Sequence, residues 1–349
     1  MGADATIFPC AGPEGLEDRP RTGRGVEALK YLWGEFFRPL AQAMALGVTT
    51  AVEKFAPDLL IVDQQALAGA LVAERLGVPY ATSATTSGEM SGSLDGLPKV
   101  NQWIRQLLDQ TRQQLGNPSA QHDPRFSPWL TLVFSTSELA GQASWPGPMQ
   151  FVGPALGERA NIPDFAWDWV TQDDQRPLVL ISLGTANPGV GAGFLNACLD
   201  AVRARSTRLR AVIADPGGVL GLPHAGADVL ITPAVPQLAL LAHTSMVVCH
   251  AGHNTVTEAL WHGVPLIVAP IRDDQPVIAS QVTAVGAGVR LRFGRARAPE
   301  VGMALDIVLN DDRYARAARR VSRSFHRAGG TKAAADHIEE LILEEEHKP

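Results

Sequence analysis

Residues 246–275, MVVCHAGHNTVTEALWHGVPLIVAPIRDDQ, confine their polar side chains to the joints between apolar segments. The run Met246 to Cys249 is too short for a helix and shows no polar alternation, so it reads as a strand buried on both faces, as in a parallel sheet. The hexapeptide His250-Ala251-Gly252-His253-Asn254-Thr255 then opens a helix carrying Glu258. The next apolar strand, Pro265 to Pro270, ends in Asp273-Asp274-Gln275. Strand, helix and strand in that order form a βαβ unit, which commits this part of the chain to an α/β fold. In open parallel sheets the strand ends and helix N-termini face one crevice, where backbone N–H groups and the helix dipole attract anions. A diphosphate is the natural guest.

Short apolar strands alternate with helical stretches almost throughout, so the βαβ pattern extends over the whole chain. In the first half, Val26 to Lys54 has helical periodicity, with a break at Pro39. Leu59 to Asp63, Pro79 to Ala84 and Leu132 to Ser135 read as strands, and Ala66 to Leu76 and Asn101 to Leu115 as helices. The second half begins with the strand Leu178 to Ser182 and a turn over Leu183 to Gly189 into the helix around Phe194 to Arg203. It continues through strands at Leu209 to Ala214, Val229 to Ile231, Met246 to Cys249, Leu266 to Ala269 and Val289 to Phe293, and ends in helices. Between the halves, ALGERANIPDFAWDWVTQDDQR has no clear period. The expected organisation is therefore an N-terminal domain over 1–154, a linker over 155–176 carrying one short helix, and a C-terminal domain over 177–349 whose last helix crosses back. A length of 349 residues suits two such domains, since single cores stop growing at roughly 250–300 residues.

Composition excludes several function classes. A net charge of −6 provides no field for nucleic acid, and the arginines between Arg313 and Arg327 recur on a helix as a solvated face. Cys10, Cys198 and Cys249 are odd in number and far apart, so no disulfide framework is implied and a cytoplasmic home is expected. The start MGADATIFPCAGPEG lacks the features of a signal peptide, and no apolar run reaches the 18 or so residues of a membrane span.

Four loops that follow strands of the second half can meet in one crevice: 182–185, 234–237, 250–255 and 273–275. Their text, PAVPQLALL, CHAGHNTVTEAL, HGVPLIVAPIRDDQ and GAGVRLRF, resembles the donor-binding region of family 1 nucleotide-sugar glycosyltransferases, specifically the bacterial enzymes that act on natural products. The resemblance spans Leu178 to Phe293 in register. It implies a GT-B fold, two Rossmann-like domains facing a crevice, with the N-terminal one incomplete. It also implies that His250 donates to a phosphate, with Gly252, Asn254 and Thr255 adding donors at the helix start. Ser182, Gly184 and Thr185 match a second phosphate loop. Glu258 would accept from the ribose hydroxyls, Val235 and Gln237 would hold base and ribose, and Asp274 and Gln275 would bind sugar hydroxyls. Many relatives stack an aromatic residue on the nucleobase where this chain has Ala234, which leaves the UDP or dTDP preference open.

Taken singly, these residues have plainer readings: a satisfied strand-end histidine, a solvated glutamate, an Asp273-Asp274 N-cap pair. Their joint appearance at four strand ends favours a binding site. Zinc held by Cys249, His250 and His253 is a rival. Cys249 and His250 are adjacent on a strand, however, and so point to opposite faces, and no fourth ligand is evident. The resemblance requires no metal or other cofactor.

The implied reaction needs a histidine base in the first strand-to-helix loop of the N-terminal domain, and no such loop precedes Asp63. Asp63 itself matches the family aspartate that pairs with that base, or alternatively caps the helix at Ala66. His122, in a Pro-rich stretch, reads as a surface residue and a poor substitute. An incomplete gene model is the preferred explanation: a chain extended upstream by a βαβ unit is expected to transfer sugar, and the 349-residue form is not. Missing strands would also leave unpaired sheet edges. The expected function is inverting transfer of a hexose-type sugar from a UDP- or dTDP-sugar to a hydroxyl of a small apolar acceptor. The alternative is a nucleotide-sugar-binding auxiliary protein without the base. A Rossmann oxidoreductase is disfavoured because no G-x-G-x-x-G follows a strand at a domain start. Trp33, Phe36, Phe37, Met90 and Trp103 hint at an apolar acceptor pocket, although core packing explains each more simply.

Overall fold

The computed structural model describes residues 5–12, 26–88, 97–141, 147–157, 165–184, 191–221 and 224–346. The chain forms two compact units: Met1–Phe134 with Ala143–Val152 and Thr331–Pro349, and Ser135–Gln142 with Gly153–Gly330. Met90 and Thr185 lie outside the described residues, as do most of the expected turn after Leu183 and part of the expected linker.

In the first unit, α1 (Val26–Lys30) passes through a π-helical segment, Tyr31–Phe37, into α2 (Arg38–Phe55). The interruption is the π-helical segment that ends two residues before Pro39; the chain stays helical across the join, so Pro39 lies inside a continuous helical stretch whose hydrogen bonding is rearranged just before it. There follow β1 (Leu60–Asp63), α3 (Leu67–Leu76), β2 (Tyr80–Ala84), α4 (Pro98–Leu115), β3 (Leu130–Val133), α5 (Ser137–Ala140, assigned to the second unit) and β4 (Met149–Phe151). The strands form a parallel sheet in the order β1-β2-β3-β4. Strand β3 begins two residues earlier than its sequence suggests, since all four residues of Leu-Thr-Leu-Val are buried. Helices α2, α3 and α4 enclose Trp33, Phe37, Leu71 and Ile104, with Phe36 and Trp103 packed against them. The aromatic residues that hinted at an acceptor pocket are thus core. At the edge strand β1, Ile61 is 59% exposed.

The second unit contains α6 (Trp167–Thr171), β5 (Leu178–Ser182), α7 (Ala192–Arg203), β6 (Arg210–Ala214), β7 (His224–Ala225), β8 (Val229–Thr232), α8 (Gln237–Leu241), β9 (Met246–Cys249), α9 (His253–Trp261), β10 (Leu266–Val268), α10 (Gln275–Ala284), β11 (Gly288–Arg290), α11 (Ala298–Asn310) and α12 (Asp312–Ala328). Its sheet runs β11-β10-β9-β5-β6-β8-β7, parallel except for the β7–β8 pair. Adjacent strand residues feed opposite cores, as period-2 geometry requires. Leu180, Val247 and Val268 pack on one face with Val256, Ile278 and Val321, whereas Ile181, Val248 and Ile267 pack on the other with Leu195 and Leu305. From β5 the chain continues to β6 on one side, and β9 lies on the other, so the strand order reverses between β5 and β9. That reversal opens the crevice of an open α/β sheet.

Part of the expected linker belongs to this unit. Val170 is buried in its core, and the α6 carbonyls of Trp169 and Val170 each accept a 2.7 Å hydrogen bond from Arg210. The last helix, α13 (Gly330–Glu346), packs Ala334 and Leu341 against Ala81, Leu130 and Val152 of the first unit.

Gly288 in β11 fixes how closely β10 approaches: a Cβ there would lie 2.1 Å from the Leu266 carbonyl oxygen, a backbone atom that cannot rotate away. Gly288→Ala is expected to cost about 1–3 kcal/mol of stability by overpacking, read as a lower urea midpoint at unchanged slope.

Candidate functional site

The crevice at the β5/β9 reversal is built around His250, the residue immediately after β9. Its imidazole is 8% exposed and stands between two glycines. A Cβ on Gly184, after β5, would lie 2.8 Å from His250 Cε1, and one on Gly252 would lie 2.5 Å from His250 Nε2. Gly184 holds φ +69°, a left-handed conformation that further selects glycine. Burial pushes the imidazole down to about 4; the Ser182 backbone pulls the other way and the Arg272 charge adds to the depression. The ring is therefore neutral at pH 7. Its Nδ1 has no hydrogen-bond partner among the described residues, a costly state for a buried polar atom in a free protein.

Helix α9 starts at this ring, with Gly252 as N-cap and no side-chain cap. The first intrahelical bond is Val256 N–H to the Gly252 carbonyl, so the first-turn N–H groups are not used by the helix. Asn254 is exposed in that turn and Thr255 is buried. Ala251, just before it, adopts φ +66°, and Asp273, after β10, φ +58°. Left-handed non-glycine residues cost about 1–2 kcal/mol each. Both occur at strand ends of this crevice, where backbone strain commonly accompanies function.

Glu258, one turn into α9, is 1% exposed and accepts a 2.7 Å hydrogen bond from Gln237 Nε2 at the start of α8. The glutamate is accordingly not the solvated helix residue of the plainer reading. Val235 packs beside the same core, and Ala234 is exposed. Asp274 occupies the N-cap position of α10 but makes no side-chain capping bond. Gln275 has a structural task that its sequence does not reveal: its Oε1 accepts from the N–H groups of Ile271 and Arg272, at 2.9 and 3.0 Å. The amide nitrogen is the part of the side chain left for a ligand. Arg272 is a further candidate that motif reading passed over; its charge reaches His250, yet in sequence it is only one arginine before an acidic pair.

The structure thus brings together Ser182, Gly184, His250 and Gly252, and separately joins Gln237 to Glu258. Cys249, next to the imidazole in sequence, is fully buried, and burial pushes its thiol up to about 12, far from a metal-binding thiolate.

In the first unit, Asp63 ends β1. Its Oδ1 accepts from Gln65 N–H at 2.8 Å and its Oδ2 from the Thr85 hydroxyl at 3.1 Å. The side chain does not cap α3, whose N-cap is Ala66 without a side-chain bond. His122 is half-buried and paired rather than a free surface residue. Its Nε2 lies 3.0 Å from both Glu74 Oε1 and the Tyr80 hydroxyl, and Glu74 is also paired with Arg112 at 3.0 Å. Tyr80 begins β2, whereas Asp63 ends β1, so these groups mark opposite ends of the sheet. Burial raises the Glu74 carboxyl, but the hydrogen bonds from His122 and Arg112 outweigh it and hold the group below its usual range.

The model of UDP-glucoronosyl and UDP-glucosyl transferase matches residues 149–332. NDP-glycosyltransferase YjiC of Bacillus subtilis (strain 168) is 31% identical over 303 residues, covering 82% of this chain and 73% of that protein. Among solved structures, the calicheamicin glycosyltransferase CalG4 superposes with a TM-score of 0.74 at 22% identity, covering 97% of this chain and 86% of the other. The spinosyn rhamnosyltransferase SpnG, complexed with thymidine diphosphate, gives 0.72 at 21% identity, covering 91% and 82%. Both place the fold in the GT-B class.

Proposed function

This chain belongs to the UDP-glucoronosyl and UDP-glucosyl transferase family and is a glycosyltransferase of the natural-product type that draws on nucleotide sugars, and from that premise we propose a specific reaction. A hexose-type sugar leaves a UDP- or dTDP-sugar and joins a hydroxyl of a small apolar acceptor with inversion. The acceptor oxygen forms the new bond to the anomeric carbon as the bond to the diphosphate oxygen breaks. Charge develops on the departing diphosphate, and neutral His250 with the first-turn N–H groups of α9 would stabilise it, an electrostatic role that needs no metal. Glu258 would receive the ribose hydroxyls, and Asp274 with the Gln275 amide nitrogen the sugar hydroxyls.

The observation carrying this reading is the buried imidazole between two glycines at a helix start, with a ring nitrogen that has no partner among the described residues. UDP and dTDP are expected to raise the melting temperature by several degrees when one of them is near a hundred times its Kd, a gain of about 2.7 kcal/mol. Absence of a shift with both would count against the donor site.

Among the described residues Asp63 holds a backbone N–H and a threonine hydroxyl rather than an imidazole, which favours a second reading, a nucleotide-sugar-binding protein without turnover. Release of nucleoside diphosphate with and without a panel of hydroxylated acceptors separates the two. Acceptor-dependent release supports transfer; binding without release supports the second reading.

A further inference from the structure

Helix α12 is divided along its length by charge. Ala317, Ala318, Val321 and Phe325 are buried in the core that α9 shares. At 3.6 residues per turn, Arg313, Arg316, Arg319, Arg320, Arg323 and Arg327 fall within about a third of the circumference, opposite that stripe, and all six are exposed. With a rise of 1.5 Å per residue the row extends about 21 Å along the helix. Carboxylates answer only part of this charge. Arg313 pairs with Asp311 at 2.6 Å and Arg320 with Glu138 at 2.8 Å. Among the described residues Arg316, Arg319, Arg323 and Arg327 make no ion pair, although Asp311 also feels the charge of Arg316. Asp312 is the one acid that α12 places in the same arc. Like charges three or four residues apart repel on a helix. Arg316 stands at that spacing from Arg313, Arg319 and Arg320, and Arg323 from Arg319, Arg320 and Arg327. In a chain whose net charge is −6, cations are thus gathered on one face against their mutual repulsion, and an external anionic surface would relieve it.

We propose that the arginine face of α12 docks on an anionic phospholipid bilayer, with the helix lying along the headgroups. Guanidinium forks match phosphate oxygens, and a basic row next to a negatively charged leaflet is attracted through each of its charges. No helix among the described residues is long and apolar enough to cross a membrane, and the apolar stripe of α12 is already packed in the core. The contact is therefore peripheral and electrostatic, without insertion. A protein partner fits this face less well, because the centre of a protein–protein interface is depleted of charge and rich in aromatic residues. Nucleic acid also presents phosphates, but its single strands call for stacking aromatics, and no Trp, Tyr or Phe of α12 shares the arginine arc. An apolar acceptor concentrates in a bilayer, so docking there would raise the local supply of the acceptor proposed above. The association itself does not depend on the donor site.

The test is cosedimentation of the full 349-residue chain with vesicles of phosphatidylcholine alone and of phosphatidylcholine mixed with phosphatidylglycerol. Wild type is expected to bind the phosphatidylglycerol vesicles at about 0.05 M salt, to leave them at about 0.5 M, where charges are screened within a few ångströms, and to ignore phosphatidylcholine. The attraction expected per arginine is about a factor of five. Arg323→Gln should accordingly lower the partition coefficient roughly fivefold, and Arg316→Gln, Arg323→Gln and Arg327→Gln together roughly 100-fold. Arg323→Lys keeps the charge and should stay within about twofold of wild type. Glutamine suits an exposed helix and removes like-charge pairs, so the melting temperature of the triple variant should not fall. A folded triple variant that binds as wild type does, or wild type that binds both vesicle types equally, would overturn the assignment of the arginine face. Wild type that ignores anionic vesicles at low salt would overturn the proposal as well, and its binding to a random-sequence DNA duplex in that case would reassign the face to nucleic acid.

Discussion

Gly252→Ala is expected to weaken binding of dTDP, UDP and pyrophosphate by roughly 10- to 150-fold, the equivalent of one hydrogen bond to a charged group, in a chain that still folds. Gly252 has φ −63° and ψ 137°, which alanine adopts without strain, so the backbone does not oppose the substitution. The new methyl opposes it, at 2.5 Å from His250 Nε2 and 2.7 Å from Cε1. The ring has no easy retreat, because the Cβ position of Gly184 lies 2.8 Å from its other side. Displacing the imidazole moves a neutral donor away from the start of α9, and only ligands carrying phosphate should register the change. Gly184→Ala makes an instructive contrast. It adds the left-handed strain of φ +69° to the same clash and should therefore lose stability as well as affinity. Titration calorimetry alongside thermal melting reads both. A Gly252→Ala protein binding pyrophosphate within twofold of wild type would remove the imidazole from the phosphate contact.

Acidification should destabilise the protein through the same side chain. The folded state holds the His250 imidazole at about 4, below its ordinary 6.5. Between those values the unfolded chain binds the proton and the folded chain does not, so stability rises with pH across that window. The contribution is fully present above pH 6.5 and is lost as the pH falls through about 4, an interval worth about 3 kcal/mol. Carboxylates such as Glu74 add their own acid sensitivity, and comparison with His250→Gln isolates the histidine. Urea midpoints measured from pH 4 to pH 8 should fall more steeply for wild type than for the glutamine variant. Saturating dTDP should flatten the wild-type slope, because a bound diphosphate favours the protonated ring. Parallel slopes for the two proteins would show that the ring titrates normally.

Much of this architecture is legible in the sequence where burial is continuous. The β9–α9–β10 unit and the strand β5 stand out because each strand is apolar along its whole length and each joint is polar. What escapes notice depends on partners distant in the chain. The π-helical turn at Tyr31–Phe37, just before Pro39, carries Trp33 and Phe37 into the core with α3 and α4, a packing that local periodicity does not reveal. Helix α6 lies in text without a period because Arg210, some forty residues later, holds its carbonyls. Motif position singles out His250, Gly252, Glu258 and Gln275 as donor-site candidates, but does not reveal that Glu258 is tied to Gln237 or that Gln275 is occupied by its own loop. His122 was misplaced for the same reason: its partners Glu74 and Tyr80 are not its neighbours in sequence.

The Gln275 clamp bears on engineering. Its carbonyl oxygen grips the main chain of Ile271 and Arg272 and not their side chains, so this part of the loop's hold is indifferent to which residues occupy 272 and 274. On the donor-site reading proposed above, those two positions are the ones to vary in recasting sugar preference, with 275 kept as glutamine and the left-handed position 273 limited to Asp, Asn or Gly.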